Sequence, residues 1–202
     1  MTNFHYYTVK NTSSFEIEPI KKSRFIAHLL PLTMASELSA HLLTIRQRYP
    51  NANHHGWAYH LLADQQIRFS DDGEPAGTAG KPILNHLQGN RLINAGVIVT
   101  RIFGGTKLGV GGLVRAYGQA AGAIISNSHL IPFTPTKYLS FTYHYAHTSL
   151  IEQTLHTLKL RPLHSSFDNM ITLSFEIPFT EYDATVQHLL EMTQNRIVIS
   201  AK

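Results

Sequence analysis

The chain of 202 residues contains no cysteine. This excludes disulfides, thiolate zinc centres and cysteine nucleophiles, and leaves His, Asp and Glu as the side chains able to hold a metal. Long apolar runs are missing as well. Hydrophobic residues make up 43% of the chain, yet none of the runs approaches the roughly 20 successive residues of a membrane span. The N-terminal stretch MTNFHYYTVKNTSS has no apolar segment of the kind a secretory signal requires. A soluble, cytoplasmic protein with no membrane partner is therefore expected. Catalytic signatures are absent too: there is no G-x-S-x-G and no Walker motif, and none of the 13 histidines stands in an H-E-x-x-H arrangement. No metal site is expected, and no enzyme class can be assigned.

What is present is unevenly distributed. Residues 1–135 carry 12 Lys+Arg against 7 Asp+Glu, a net of +5, whereas residues 136–202 carry 5 against 6, a net of −1. A basic excess confined to one part suits an anionic partner such as nucleic acid, and equally serves solubility. The composition changes at Leu130-Ile131-Pro132-Phe133-Thr134-Pro135, where two prolines close a helical stretch. This divides the chain into a domain of residues 1–134 and a second of 135–202.

In the first part, Phe15 to Glu18, Ser23 to Leu30, Gly56 to Leu62 and Ala95 to Arg101 read as strands. Met34 to Arg48, Ala79 to Gln88 and Gly111 to Ser126 read as helices, with Thr78 a plausible N-cap of the second. The fold class expected is α+β, a sheet covered by helices. After the boundary come strand Lys137 to Tyr145, helix Thr148 to Leu158, strands Leu160 to Phe167 and Met170 to Ile177, helix Glu181 to Met192 capped by Thr180, and strand Arg196 to Ser200. That β-α-β-β-α-β order is the ferredoxin-like arrangement.

The stretch from Phe69 to Gln119 argues for a function. Two loops rich in glycine and charge, SDDGEPAGTAGK and FGGTKLGVGG, each open into a helical pattern, with the strand GVIVTR between them. In the second loop Gly104, Gly105, Gly109, Gly111 and Gly112 permit close backbone approach, and the following helix would offer free N–H groups and its positive dipole end to a phosphate. The same glycines would also serve a tight strand-to-helix connection. Val110 stands where a Walker lysine would, and Val114 where a dinucleotide fingerprint needs glycine. Arg101, Lys107 and Arg115 flank the loop, Lys81 opens the earlier helix, and Arg24 closes the basic patch Lys21-Lys22-Ser23-Arg24. All are candidate anion or nucleic-acid contacts, or else solvated charges. Asp71, Asp72 and Glu74 form an acidic counterpart able to cap a helix, to pair with Lys81 or Arg101, to act as catalytic carboxylates, or to hold magnesium once a phosphate arrives. Both loops are expected to meet in one cleft. His54, His55 and His60, interleaved with Trp57 and Tyr59, alternate across a strand and read as half-buried structural residues.

The runs Gly80-Lys81-Pro82-Ile83-Leu84, Val97-Ile98-Val99-Thr100-Arg101 and Phe103-Gly104-Gly105-Thr106-Lys107-Leu108-Gly109, with Lys21 to Ala27 upstream, resemble the signature of the IMPACT family in its bacterial, YigZ-type members. Ile102 departs from the pattern, which has two aromatics after the arginine. The resemblance implies an N-terminal α/β sandwich similar to a domain of a small-subunit ribosomal protein, to domain IV of elongation factor G and to small-molecule kinases of the GHMP class. It implies a second domain similar to the C-terminal domain of elongation factor G. Because eukaryotic family members are linked to translational control, it also implies a nucleic-acid or ribosome-associated binding protein that regulates translation. An enzyme acting on a small phosphorylated compound or nucleotide through the glycine loop is the alternative. No cofactor is expected, magnesium entering only as the phosphate-linked option above.

Overall fold

A computed structural model describes residues 6–62 and 66–200. The first five residues of the stretch read for a signal sequence lie outside them. The chain divides into two compact units, Met1–Phe133 and Thr134–Lys202.

The first unit is built on strands β1 (Tyr6–Thr8), β2 (Ser13–Glu16), β3 (Arg24–Pro31), β4 (His54–His60), β5 (Ile67–Ser70), β6 (Ala95–Ile102) and β7 (Ile131–Phe133), with helices α1 (Ala35–Arg48), α2 (Gly80–Gly89) and α3 (Val110–Ser126). Five strands form an antiparallel sheet in the order β2-β3-β6-β4-β5, while β1 pairs with β7 separately. The two central strands, RFIAHLLP and AGVIVTRI, are buried along nearly their whole length because helices cover both faces of the sheet. Alternation sorts their side chains. Phe25, Ala27, Leu29, Val97 and Val99 pack with Ile83 and Leu87 of α2 and with Ala116, Tyr117 and Ala120 of α3. Leu30, Ile98 and Tyr59 pack with Leu38 and Ile45 of α1 on the opposite face.

The second unit holds β8 (Thr136–Tyr143), α4 (Thr148–Thr157), β9 (His164–Phe167), β10 (Ile171–Pro178), α5 (Tyr182–Met192) and β11 (Val198–Ser200), with a single 3₁₀ turn before α4. Its antiparallel sheet runs β11-β8-β10-β9 around Phe141, Phe175, Ile151 and Leu189.

Several local expectations need correction. The strand at Phe15 to Glu18 occupies Ser13–Glu16 instead. The strand drawn from Leu160 begins at His164: Lys159 turns the chain at φ +55°, and Pro162 has no N–H for a ladder. Strand β5 leaves no pattern in the sequence, since only four residues pair with β4 and their exposure does not alternate. Neither threonine caps its helix. Ala79 and Glu181 occupy the N-cap positions, without a side-chain cap of their own. The Thr78 hydroxyl donates to the Pro75 carbonyl instead, at 2.7 Å.

Candidate anion-binding cleft

Four segments converge at one end of the first unit's sheet: the end of β6, the start of β4, the β5–α2 loop and the β6–α3 loop. Together they line a cleft of about 490 Å³ that includes Asn53, His54, Glu74, Arg101, Phe103 and Lys107, with Gly109, Val110 and Leu113 at the start of α3. The loop into α3 depends on two glycines. Gly104 lies so close to Lys22 that a Cβ would overlap that residue's backbone. Gly109, at φ +74°, turns the chain into the helix in a conformation that L side chains rarely adopt. Helix α3 runs for 17 residues, with no side-chain cap and no acidic residue in its first turn. The first amides of a helix have no partner within it, so the positive end of the dipole faces the cleft mouth without an acidic side chain from the helix's own first turn. Lys107 is exposed just ahead of it.

Beneath this surface lies a buried ionic network. Arg101 donates from Nη1 to Glu74 Oε1 at 2.7 Å, and the Tyr117 hydroxyl donates to the same oxygen at 2.9 Å. Arg101 and Glu74 side chains are only 7% and 3% exposed, so each charge depends on the other. The guanidinium lies between the rings of Phe25 and Phe103, at 5.7 and 5.4 Å from their centroids. Burial, followed by the Glu74 charge and hydrogen bond, pushes the Tyr117 phenol far up in pKa and keeps it a neutral donor. Arg101 Nε, also buried, has no hydrogen-bond partner among the described residues.

The acidic loop is divided among three tasks. Asp71 crowns α2: Oδ1 accepts the amides of Ala79 and Gly80 at 2.8 and 2.9 Å, and Oδ2 accepts that of Gly77 at 2.8 Å. Burial opposes its ionisation, but these three donors outweigh burial and hold the carboxyl below its ordinary value. Asp72 binds Arg46 at 2.8 Å and the His55 amide at 2.7 Å. Glu74 alone lines the cleft. Among the described residues no group of three or more His, Asp or Glu side chains is placed to hold a metal ion. Asp71→Ala is expected to lower stability by about 0.5–2 kcal/mol, the range for losing a helix cap, as read from the urea midpoint. Because the folded pKa is depressed, this contribution is present above the unfolded carboxylate range and disappears as pH falls through the folded value. An unchanged midpoint at neutral pH would remove Asp71 from the stability of α2.

Not every candidate cation reaches the cleft. Arg101 and Lys107 line it, Arg101 as the buried partner of Glu74, one of the pairings read for the acidic loop. Arg24 projects from the other face of β3, alternating with Phe25, and binds Glu16 through Nε and Nη2 at 2.7 and 2.9 Å. Lys81 lies over the Phe69 ring at 5.9 Å. Arg115 lines a separate groove between α2 and α3 with Asn85, His86 and Gln119. Of the glycines, Gly104 serves close packing, Gly109 lines the cleft, Gly105 turns the loop at φ +87°, and Gly111 and Gly112 form the first turn of α3. The sequence marks His54 as a structural strand residue and leaves Tyr117 to helix packing. Their place in the site follows from register, His54 pairing directly with Arg101 across β4 and β6, and from Tyr117 pointing back from the second turn of α3.

An antiparallel sheet covered by helices on both faces, with a glycine-loop cleft at one end and a small second α+β unit, is the class of protein these features define. The model of the Impact N-terminal domain matches residues 21–125. An IMPACT family member of Haemophilus influenzae is 38% identical over 202 residues, covering 96% of this chain and 95% of that protein. The Escherichia coli IMPACT family member YigZ is 35% identical over 165 residues, covering 80% and 81% of the two chains. A solved structure of a hypothetical protein superposes with a TM-score of 0.65 at 30% identity, covering 98% of this chain and 97% of its own. The chain belongs to the IMPACT family. No helix among the described residues is long and apolar enough to cross a membrane.

Proposed function

We propose that the protein binds a phosphate-bearing nucleic acid, RNA or the ribosome, through the cleft of its first unit, and that it acts in the regulation of translation. The observation that carries this reading is the uncapped N-terminus of α3 opening beside the exposed Lys107 onto the same cleft as the half-exposed Phe103. Helix amides and a lysine suit a phosphate oxygen, and an aromatic ring suits a base. The basic balance of residues 1–135 favours the approach of a polyanion. Further support comes from the family resemblance, which implies a first unit similar to domains of a small-subunit ribosomal protein and of elongation factor G, and a second similar to the C-terminal domain of elongation factor G. Fold likeness is associational support, so the weight rests on the cleft.

Lys107→Ala is expected to weaken binding of a single-stranded RNA about tenfold and to reduce the slope of log affinity against log salt by about one. Its thermal midpoint should stay at the wild-type value, because Lys107 makes no internal pair among the described residues. Fluorescence anisotropy across a salt series measures both quantities. An unchanged slope would remove Lys107 from the phosphate contacts. A protein that binds no RNA but is thermally stabilised by mononucleotides would instead be one that acts on a small phosphorylated compound.

A further inference from the structure

We propose that the cleft recognises the ribose 2′-hydroxyl through His54 and Glu74, so that the protein prefers ribonucleotides to deoxyribonucleotides; this rests on the nucleic-acid reading above. His54 Nδ1 lies 2.8 Å from the carbonyl oxygen of Asp72. A carbonyl can only accept, so Nδ1 carries the hydrogen, and in the Nδ1–H tautomer Nε2 is an acceptor. Nε2 stands 4.0 Å from Glu74 Oε2. Oε1 of the same carboxylate already accepts from Arg101 and Tyr117, which leaves Oε2 without a close donor among the described residues. In that tautomer two acceptors 4.0 Å apart line one small volume of the cleft wall, where a ligand hydroxyl can give its one hydrogen to either.

The rest of the cleft indicates which donor. A nucleotide orders phosphate, sugar and base in that sequence. With its phosphate at the start of α3 beside Lys107 and its base against Phe103, the sugar falls to the wall where His54 and Glu74 stand, since all these residues line the same cavity. The 2′-hydroxyl is the donor RNA offers there and DNA lacks. Glu74 is nearly buried and doubly bonded on its other oxygen, so the acceptor pair is held in place before the ligand arrives. An exocyclic amine of a base has two hydrogens to offer such a pair, and the choice of probe separates it from the hydroxyl.

The test compares three oligomers of one length and one base: oligouridylate, its 2′-O-methyl analogue and oligodeoxyuridylate. Uracil has no exocyclic amine, and the 2′-O-methyl sugar keeps the ribose-type substituent while losing the O–H donor. Wild-type protein is expected to bind oligouridylate about tenfold more tightly than either of the other two, the worth of one hydrogen bond to a charged group. His54→Asn, whose side-chain amide can still reach the Asp72 carbonyl but has no second ring nitrogen, is expected to bring the ratio close to one. Circular dichroism and the thermal midpoint check its fold. Equal wild-type affinities for the three oligomers overturn this inference and leave the nucleic-acid reading standing. A preference that survives in His54→Asn, or equal weakening of all three by that variant, also overturns it. Failure of all three to bind overturns both readings together.

Discussion

Replacing Glu74 by alanine is expected to lower the unfolding free energy by about 3–5 kcal/mol, the cost of leaving the other half of a buried ion pair without its partner. Arg101 cannot turn to solvent. It lies one residue from the end of a central strand, its side chain is 7% exposed, and its guanidinium lies over the rings of Phe25 and Phe103. One hydrogen bond of the guanidinium is already unmade, at Nε, so losing Nη1 as well would leave the charge with little beyond the two rings. Tyr117 would lose its acceptor in the same substitution, adding the desolvation cost of a buried hydroxyl. Chemical denaturation at neutral pH measures the loss. The pair can be separated from its charges by a double-mutant cycle: Glu74→Ala with Arg101→Met should be less destabilising than the two single costs combined, because the uncompensated charge is gone. A Glu74→Ala protein within about 1 kcal/mol of wild type, an ordinary surface value, would mean that water reaches Arg101 and that the network is not closed.

That network also marks where reading the sequence stops. The central strands were legible as apolar runs, Ala95 to Arg101 being the most apolar, and the five helices of the described residues because apolar residues recur at helical spacing, as at Leu38, Leu42 and Ile45. Long, doubly covered elements carry such a signal strongly. The four-residue edge strand Ile67–Ser70 and the three-residue pair Tyr6–Thr8 and Ile131–Phe133 are stabilised by pairing with distant partners, and too few of their side chains reach the core to leave a pattern. The cap read at Thr78 failed for a related reason. The acceptor used at the start of α2 is Asp71, one of the three carboxylates read as able to cap a helix, eight residues before Ala79 and brought back by a turn through Asp72 and Gly73 at φ +48° and +87°.

The site was legible by region but not by role. Glycine and charge density drew attention to Gly104–Gly112 and to Asp71, Asp72 and Glu74, yet the assignment of each side chain depended on partners far away in sequence. Arg101 meets Glu74 across 27 residues, and Tyr117 meets it across 43. Which carboxylate faces the cleft, and which cations turn away, is set by strand register and helix phase. Arg24 shows this most simply: one residue from Phe25, it leaves β3 on the opposite side of the sheet.

A second large effect lies on the α1 side of the sheet, at His28. This histidine is 4% exposed, with its ring 5.6 Å from that of Tyr49 and its Nε2 unpartnered among the described residues. Burial, with the nearby positive charge of Arg48 and with His55, drives its pKa from about 6.5 down to about 4. The imidazole is therefore neutral in the folded protein over most of the acid range and protonated in the unfolded chain. Since the unfolded state binds the extra proton between these two values, stability rises with pH in that window. It is fully present above about 6.5, is lost as pH falls, and stops changing once the folded value near 4 is passed. The total corresponds to about 3 kcal/mol. His55 and His60, whose pKa values are also lowered first by burial, act in the same direction, so the wild-type curve alone does not isolate His28. The difference between wild type and His28→Leu does: leucine fills the position without a titrating group, so the stability of wild type relative to the variant should be about 3 kcal/mol lower at pH 4 than at pH 7, read from urea midpoints at each pH. Parallel curves for the two proteins would show that His28 is hydrated when folded and that the acid sensitivity originates elsewhere.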